Sequence, residues 1–278
     1  MFNVSNRYLI VLSIVTISLL SSCGKKEKEA REYLSKAKMQ YESELYDSAL
    51  STLDKLDRNY ASELKVRREG LRLRPHIMEK LSLKSLESID RQLASLIIES
   101  EKYKDSLKHV QDAFDGYYTT VDLVGKIPAE KSGLYARMTS EGIFTVIASS
   151  TRSALSEGVT LTSGGASVST PKIAHDGERN DRSRGVEIIN FMASECDTLG
   201  SFCADHAGEN ITLTFNGEKP YSMPLPKEQA EALAKVHAVS KVFTSLRKVQ
   251  NEKNRLEKQL MISRSQQART FDESSDND

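Results

Sequence analysis

Two stretches far apart in the chain carry apolar residues spaced alternately by three and four, and that rhythm constrains the fold more than any other feature. In the first, Leu86, Ile89, Leu93, Leu96, Ser100, Tyr103, Leu107 and Val110 mark a heptad seam; in the second, Val239, Val242, Leu246, Val249, Lys253, Leu256 and Leu260 repeat it. Each reads as one long helix, over residues 76–112 and 226–268, and a helix of about 35 residues is about 50 Å long. Such a helix must bury its apolar stripe. Two matched seams in one chain do so most economically by zipping antiparallel. Two other outcomes stay open: each seam packing separately on the rest of the chain, or on a second copy.

The segment between the seams, residues 113–225, has the period of β-structure. Alternation in Thr119, Val121 and Leu123, in Leu134, Ala136 and Met138, and in Ile143, Thr145 and Ile147 predicts strands. Turns punctuate them at Ser140-Glu141-Gly142, at Ser163-Gly164-Gly165 and at Asn216-Gly217. The last follows the run Ile211–Phe215 and predicts a type I′ hairpin, because both central positions of that turn need positive φ. A short helix is expected near residues 193–206. The fold class is therefore α+β: N-terminal helical hairpins and two long heptad-patterned helices, antiparallel, with an inserted mainly antiparallel β domain. With 278 residues, 38% of them hydrophobic, the chain can bury a core of ordinary size.

Residues 30–74 contain no proline before Arg74 and only one glycine, Gly70. Ala30, Tyr33, Leu34, Ala37 and Tyr41 form one helical stripe, and Tyr46, Ala49, Leu50, Leu53 and Leu56 form a second. The link through Glu44-Leu45-Tyr46-Asp47 is short, so the two helices should pack antiparallel. Ala37, Tyr46, Ala49 and Leu53 resemble the small and aromatic packing positions of a tetratricopeptide repeat, similar to those of outer-membrane-assembly lipoproteins. A further helix over 61–74 would begin a second repeat, and Pro75 is expected to end the unit. Solenoids usually need about three repeats, so this piece should pack on other parts of the protein.

The N-terminus supplies an address. Arg7 precedes an apolar run, Tyr8–Leu20, too short to span a bilayer but suited to a secretory signal. Leu20-Ser21-Ser22-Cys23 then resembles the lipobox of bacterial lipoproteins. That resemblance implies cleavage after residue 22, acylation of Cys23 and a lipid-anchored mature protein; an ordinary secretory signal with an incidental cysteine is the alternative. Gly24, rather than aspartate, favours the outer membrane by the same resemblance. The face of that membrane stays open. Residues 23–29 read as a lipidated, solvated tether, and the acidic tail 269–278 as disordered. The whole layout is similar to envelope lipoproteins with a helical N-terminus and an inserted β segment.

Charge excludes more than it assigns. Lysine plus arginine and aspartate plus glutamate number 39 each, and removing residues 1–22 takes away Arg7 alone, leaving a net charge of −1. Nucleic acid is therefore not expected as a partner. No phosphate loop, zinc-protease helix or nucleophile elbow is present, so neither catalytic residues nor a cofactor are assigned.

After Cys23, the remaining cysteines are Cys196 and Cys203. Seven residues apart on one continuous helix, their Cα atoms would lie about 10 Å from each other, beyond disulfide reach. A possible disulfide requires a break at Gly200. Two buried thiols, or a metal held by Cys203, His206 and a nearby aspartate, are the alternatives, and no metal is assigned. The mixed-charge loop around His175-Asp176, with Glu178, Arg179, Asp181, Arg182 and Arg184, reads as a solvated loop rather than an anion site. The function implied is a non-enzymatic envelope scaffold or interaction module, with an envelope protein as partner. Small-molecule or glycan binding by the β domain, with Tyr117, Tyr118, Tyr135 and Tyr221 as aromatic walls, is the alternative, followed by an enzyme whose site is unrecognised. The oligomeric state stays open.

Overall fold

A computed structural model describes residues 25–103, 105–111, 116–152 and 154–275, with side chains up to residue 269. The expected signal sequence, the lipobox-like motif and Cys23 lie outside the described residues. The chain is α+β and divides into two compact units, Met1–Arg91 with Asn251–Asp278, and Gln92–Gln250.

The first unit is helical. Helix α1 spans 25–42, α2 spans Tyr46–Asn59, α3 begins at Leu64 and runs to Glu101, and α5 (Lys227–Ser275) contributes its C-terminal part. Helices α1 and α2 are antiparallel, as the bonds from Thr52 Oγ1 to Gln40 Oε1 (2.7 Å) and from Tyr60 OH to Glu29 Oε2 (3.2 Å) show. Both apolar stripes converge on one core of Ala30, Leu34, Ala37, Ala49, Leu53, Leu56, Val66 and Ile77. Ala37, Ala49 and Leu53 are all buried in this core.

The expected tether is different. Residues 25–29 form the first turns of α1, because Glu27 pairs with Arg31 one turn on and Glu29 is engaged by Tyr60. The expected stop at Pro75 is also absent. Proline there removes one backbone hydrogen bond, a cost of about 3 kcal/mol. Burial of Val66, Gly70, Pro75 and Ile77 along the same helix offsets it, and Gln267 Nε2 of α5 donates to the Pro75 carbonyl at 3.2 Å, tying the two helices together at that point. The separate helix expected over 61–74 is simply the first three turns of α3.

Within this unit α3 and α5 run antiparallel. Asp90 meets Lys253 at 2.8 Å and Glu79 meets Arg264 at 2.9 Å, so residue numbers fall on one helix as they rise on the other. Lys253 stands at a seam position, where a polar residue fixes register at some cost in stability. The two bonds from Arg264 and Gln267 hold the Glu79 carboxyl below its ordinary range. No glycine or proline interrupts residues 266–275, and α5 continues through Ser275 where a disordered tail was expected.

The second unit holds two antiparallel sheets. Six strands stand in the order β1 (Lys108–Val110), β2 (Tyr117–Thr119), β3 (Gly133–Met138), β4 (Phe144–Ser150), β8 (Val186–Met192) and β7 (Asn180–Ser183). Four stand in the order β10 (Tyr221–Pro224), β9 (Thr212–Gly217), β5 (Ser156–Ser163) and β6 (Ala166–Ser169). Helix α4 (Asp197–Asp205) and the N-terminal part of α5 close over a shared core that includes Val146, Leu161, Phe191, Leu213, Phe215, Leu199, Leu233 and Val236. The sheets' apolar faces are therefore filled by their own side chains and helices.

Four sequence expectations change here. The first heptad helix ends at Glu101, so Tyr103, Leu107 and Val110 lie beyond it. Leu107 is instead buried in the β core, and Lys108–Val110 pair with Tyr117–Thr119, a tertiary pairing that overrides helical periodicity. Thr119 is in β2, but Val121–Leu123 is a single 3-10 turn rather than the continuation of a strand. In β4 the core takes Phe144, Val146 and Ala148, the opposite phase from Ile143, Thr145 and Ile147. The fourth is the Asn216-Gly217 pair, which is no turn: it ends β9, and the hairpin bends beyond it, since Phe215 pairs with Tyr221. A Cβ at Gly217 would overlap the backbone oxygens of Ala154 and Leu155, so glycine serves close approach here rather than positive φ. By contrast Gly164 and Gly165, at φ 56° and 86°, make the tight turn between β5 and β6 that their pairing suggests.

Candidate functional site

Helix α4 packs so closely on α5 that a Cβ added at Gly200 would overlap the side chain of His237. Gly200 therefore permits helix contact and breaks nothing. Cys196 caps α4, Cys203 lies on its buried face, and both are free thiols. Burial pushes both up to about 12, so neither is available as a thiolate nucleophile near neutral pH. His237 is buried beside Phe144, with ring centroids 5.2 Å apart, and burial first, then Lys241, depresses its pKa.

Beyond the C-terminus of α4 the chain and the start of α5 enclose a pocket of about 370 Å³. Its floor is apolar: Cys203, Ile211 and Leu225 are buried, and Ala230 and Ala234, one turn apart on α5, contribute only methyl groups. Its rim is charged. Lys227, Glu231 and Lys235 project from α5, and His206 and Glu209 stand on the other wall. His206 Nδ1 lies 2.8 Å from Glu209 Oε2, which also accepts the Ser163 hydroxyl at 2.6 Å. Those two bonds hold the Glu209 carboxyl below its ordinary range. Among the described residues, Lys227 and Lys235 have no ion partner.

Cys203 and His206, singled out in the sequence, thus do meet around one cavity, whereas Lys227, Ala230, Ala234 and Lys235 were not legible as site residues. Ala230 and Ala234 gave no distinct signal, because Ala232 and Ala238 stand in the same stretch of α5. Among the described residues no group of three or more histidine, cysteine, aspartate or glutamate side chains is arranged to hold a metal ion.

The mixed-charge loop is committed to its own architecture. Asp176 Oδ1 accepts the backbone N–H of Glu178, Arg179 and Asn180, and His175 Nδ1 lies 2.8 Å from the Asn180 carbonyl oxygen. Arg179 binds Glu195 and Arg182 binds the Ser156 carbonyl. The four tyrosines are likewise dispersed. Tyr117 lies under Arg137, Tyr118 against His109, Tyr135 donates to the Lys131 carbonyl, and Tyr221 stacks on Phe215.

The helical unit offers a different feature. Leu256, a seam residue of α5, and Ser263, three residues past the seam's last member Leu260, are buried, yet Met261 and Ile262 are 72% and 58% exposed beside a shallow depression that includes Ser265 and Arg269. Among the described residues no helix is long and apolar enough to cross a membrane. Comparison with protein-family models, with curated proteins and with solved structures yields no match.

Proposed function

We propose that this protein is a lipid-anchored, non-enzymatic component of the cell envelope, tethered through Cys23 to the outer membrane and presenting its helical unit to an envelope protein partner. The apolar pair Met261 and Ile262 carries the reading. Helix α5 already uses its seam face, through Lys253, Leu256, Ser263 and Gln267, within its own unit. The exposed pair is therefore surplus to the contacts α5 makes within its own unit, and adjacent exposed apolar side chains offer a partner an area to bury. The anchor rests on the lipobox resemblance, and two or three acyl chains would hold the protein to its membrane far more firmly than one.

A photo-cross-linking residue placed at Met261 in living cells should capture one reproducible envelope protein. The same residue at Lys172, an exposed side chain of the β domain, should not. Absence of any adduct at Met261, or the same adducts at both positions, would end the scaffold reading.

A further inference from the structure

We propose that the pocket between α4 and α5 is a binding site for an amphipathic monocarboxylate, its apolar tail on the floor formed by Cys203, Ile211 and Leu225 and its carboxylate at one end of the trough, against Lys227 or Lys235. This site lies in the β-containing unit and stands independently of the scaffold reading.

The size is right for a small molecule. A volume of about 370 Å³ is near the lower end of ligand sites, about 300–1,000 Å³, and equals about a dozen water volumes. The floor selects an apolar body. Ile211 and Leu225 are aliphatic, the Cys203 thiol stays neutral, and Ala230 and Ala234 leave a trough along α5 that larger side chains would close. Water in such a trough has few hydrogen-bond partners, so its displacement by methylene groups is favourable.

The rim selects charge. Lys227 and Lys235 lie eight residues apart on one helix, about 12 Å along its axis, and flank the trough without an ion partner among the described residues. On the opposite wall the Glu209 carboxylate is already engaged, accepting the Ser163 hydroxyl at 2.6 Å and lying 2.8 Å from His206 Nδ1, so its oxygens are less available to a cationic head group than the lysines are to an anionic one. Glu231 stands between the two lysines. Its carboxylate opposes an anionic head group and so lowers affinity.

The test uses the mature chain with Cys23→Ser, and decanoate as probe, titrated by calorimetry. One equivalent of decanoate should bind, while decanol and decyltrimethylammonium should each bind at least ten-fold more weakly. Lys227→Ala with Lys235→Ala, both on exposed side chains whose loss spares the fold, should weaken decanoate about five-fold, and Glu231→Gln should strengthen it. Ala234→Leu fills the trough and should abolish binding; Ala230→Leu is the second variant should Ala234→Leu unfold. Failure of decanoate to bind, equal binding of the cationic analogue, or indifference to both the lysine pair and the filled trough would overturn the proposal.

Discussion

Replacing Glu187 with alanine should cost the β-containing unit about 3 kcal/mol, far more than an average substitution. The side chain is 5% exposed and joins the two sheets: from β8, its Oε1 accepts the Leu155 N–H at 2.8 Å, and its Oε2 accepts the Ser156 N–H at 3.1 Å and the Ser156 hydroxyl at 2.8 Å. Leu155 is held at φ +52°, a left-handed conformation that a leucine rarely adopts unaided. Truncation strands two backbone donors, each costing about 1–3 kcal/mol when buried. The Leu155 donor, on a half-buried residue, falls near the low end, and that of the buried Ser156 near the middle. The hydroxyl can rotate away and adds little. Glu187→Gln keeps the shape but turns one oxygen into a donor, so it should cost about half as much.

Urea denaturation should be followed through alkylation of Cys196 and Cys203, since both thiols belong to this unit and are buried in it. Glu157→Ala on β5 is the control. Its ion pair with Lys172, at 3.7 Å, is 42% and 84% exposed and is worth a few tenths of a kcal/mol at most. A loss below about 1 kcal/mol for Glu187→Ala, or a loss equal to that of Glu157→Ala, would refute the reasoning.

Other perturbations follow from the same packing. Gly200→Ala gains about 1 kcal/mol in helix propensity, but the new methyl overlaps His237, so a net loss of about 1–3 kcal/mol is expected in thermal unfolding. Because burial depresses the His237 pKa, the unfolded chain takes up that proton before the native one does. The stability His237 contributes is thus fully present above its ordinary pKa of 6.5 and is lost as pH falls below it, and His237→Gln should flatten the stability profile there. With both thiols near 12, neither Cys196 nor Cys203 should react appreciably with iodoacetamide at pH 8 in the native protein, and both should react in urea, as peptide mapping by mass spectrometry will show.

The sequence carried the architecture where periodicity and burial coincide. Leu86, Ile89, Leu93 and Leu96 are half-buried on α3 while Leu83, Ile97 and Ile98, off the seam, are exposed, so the heptad reading found the inward face. It failed where tertiary packing outweighs local signals. Pro75 is tolerated inside α3 because buried neighbours offset a missing bond, and Leu107 leaves the helical rhythm for the β core. Glycine was ambiguous for the same reason. Gly200 and Gly217 looked like punctuation, yet both exist to let another element approach, a need visible only once that element is in place. The pocket was half legible: Cys203 and His206 stand out chemically, but Lys227 and Lys235 acquire meaning only from the alanine trough between them.

Lipid attachment at position 23 is the premise on which the envelope role depends, and intact-mass analysis of protein purified from its native membranes with detergent tests it most directly. The account predicts a chain beginning at Cys23 and carrying the added mass of a diacylglycerol with or without a further acyl group. A chain that still begins at Met1, or one cleaved elsewhere and free of fatty acid, would contradict it.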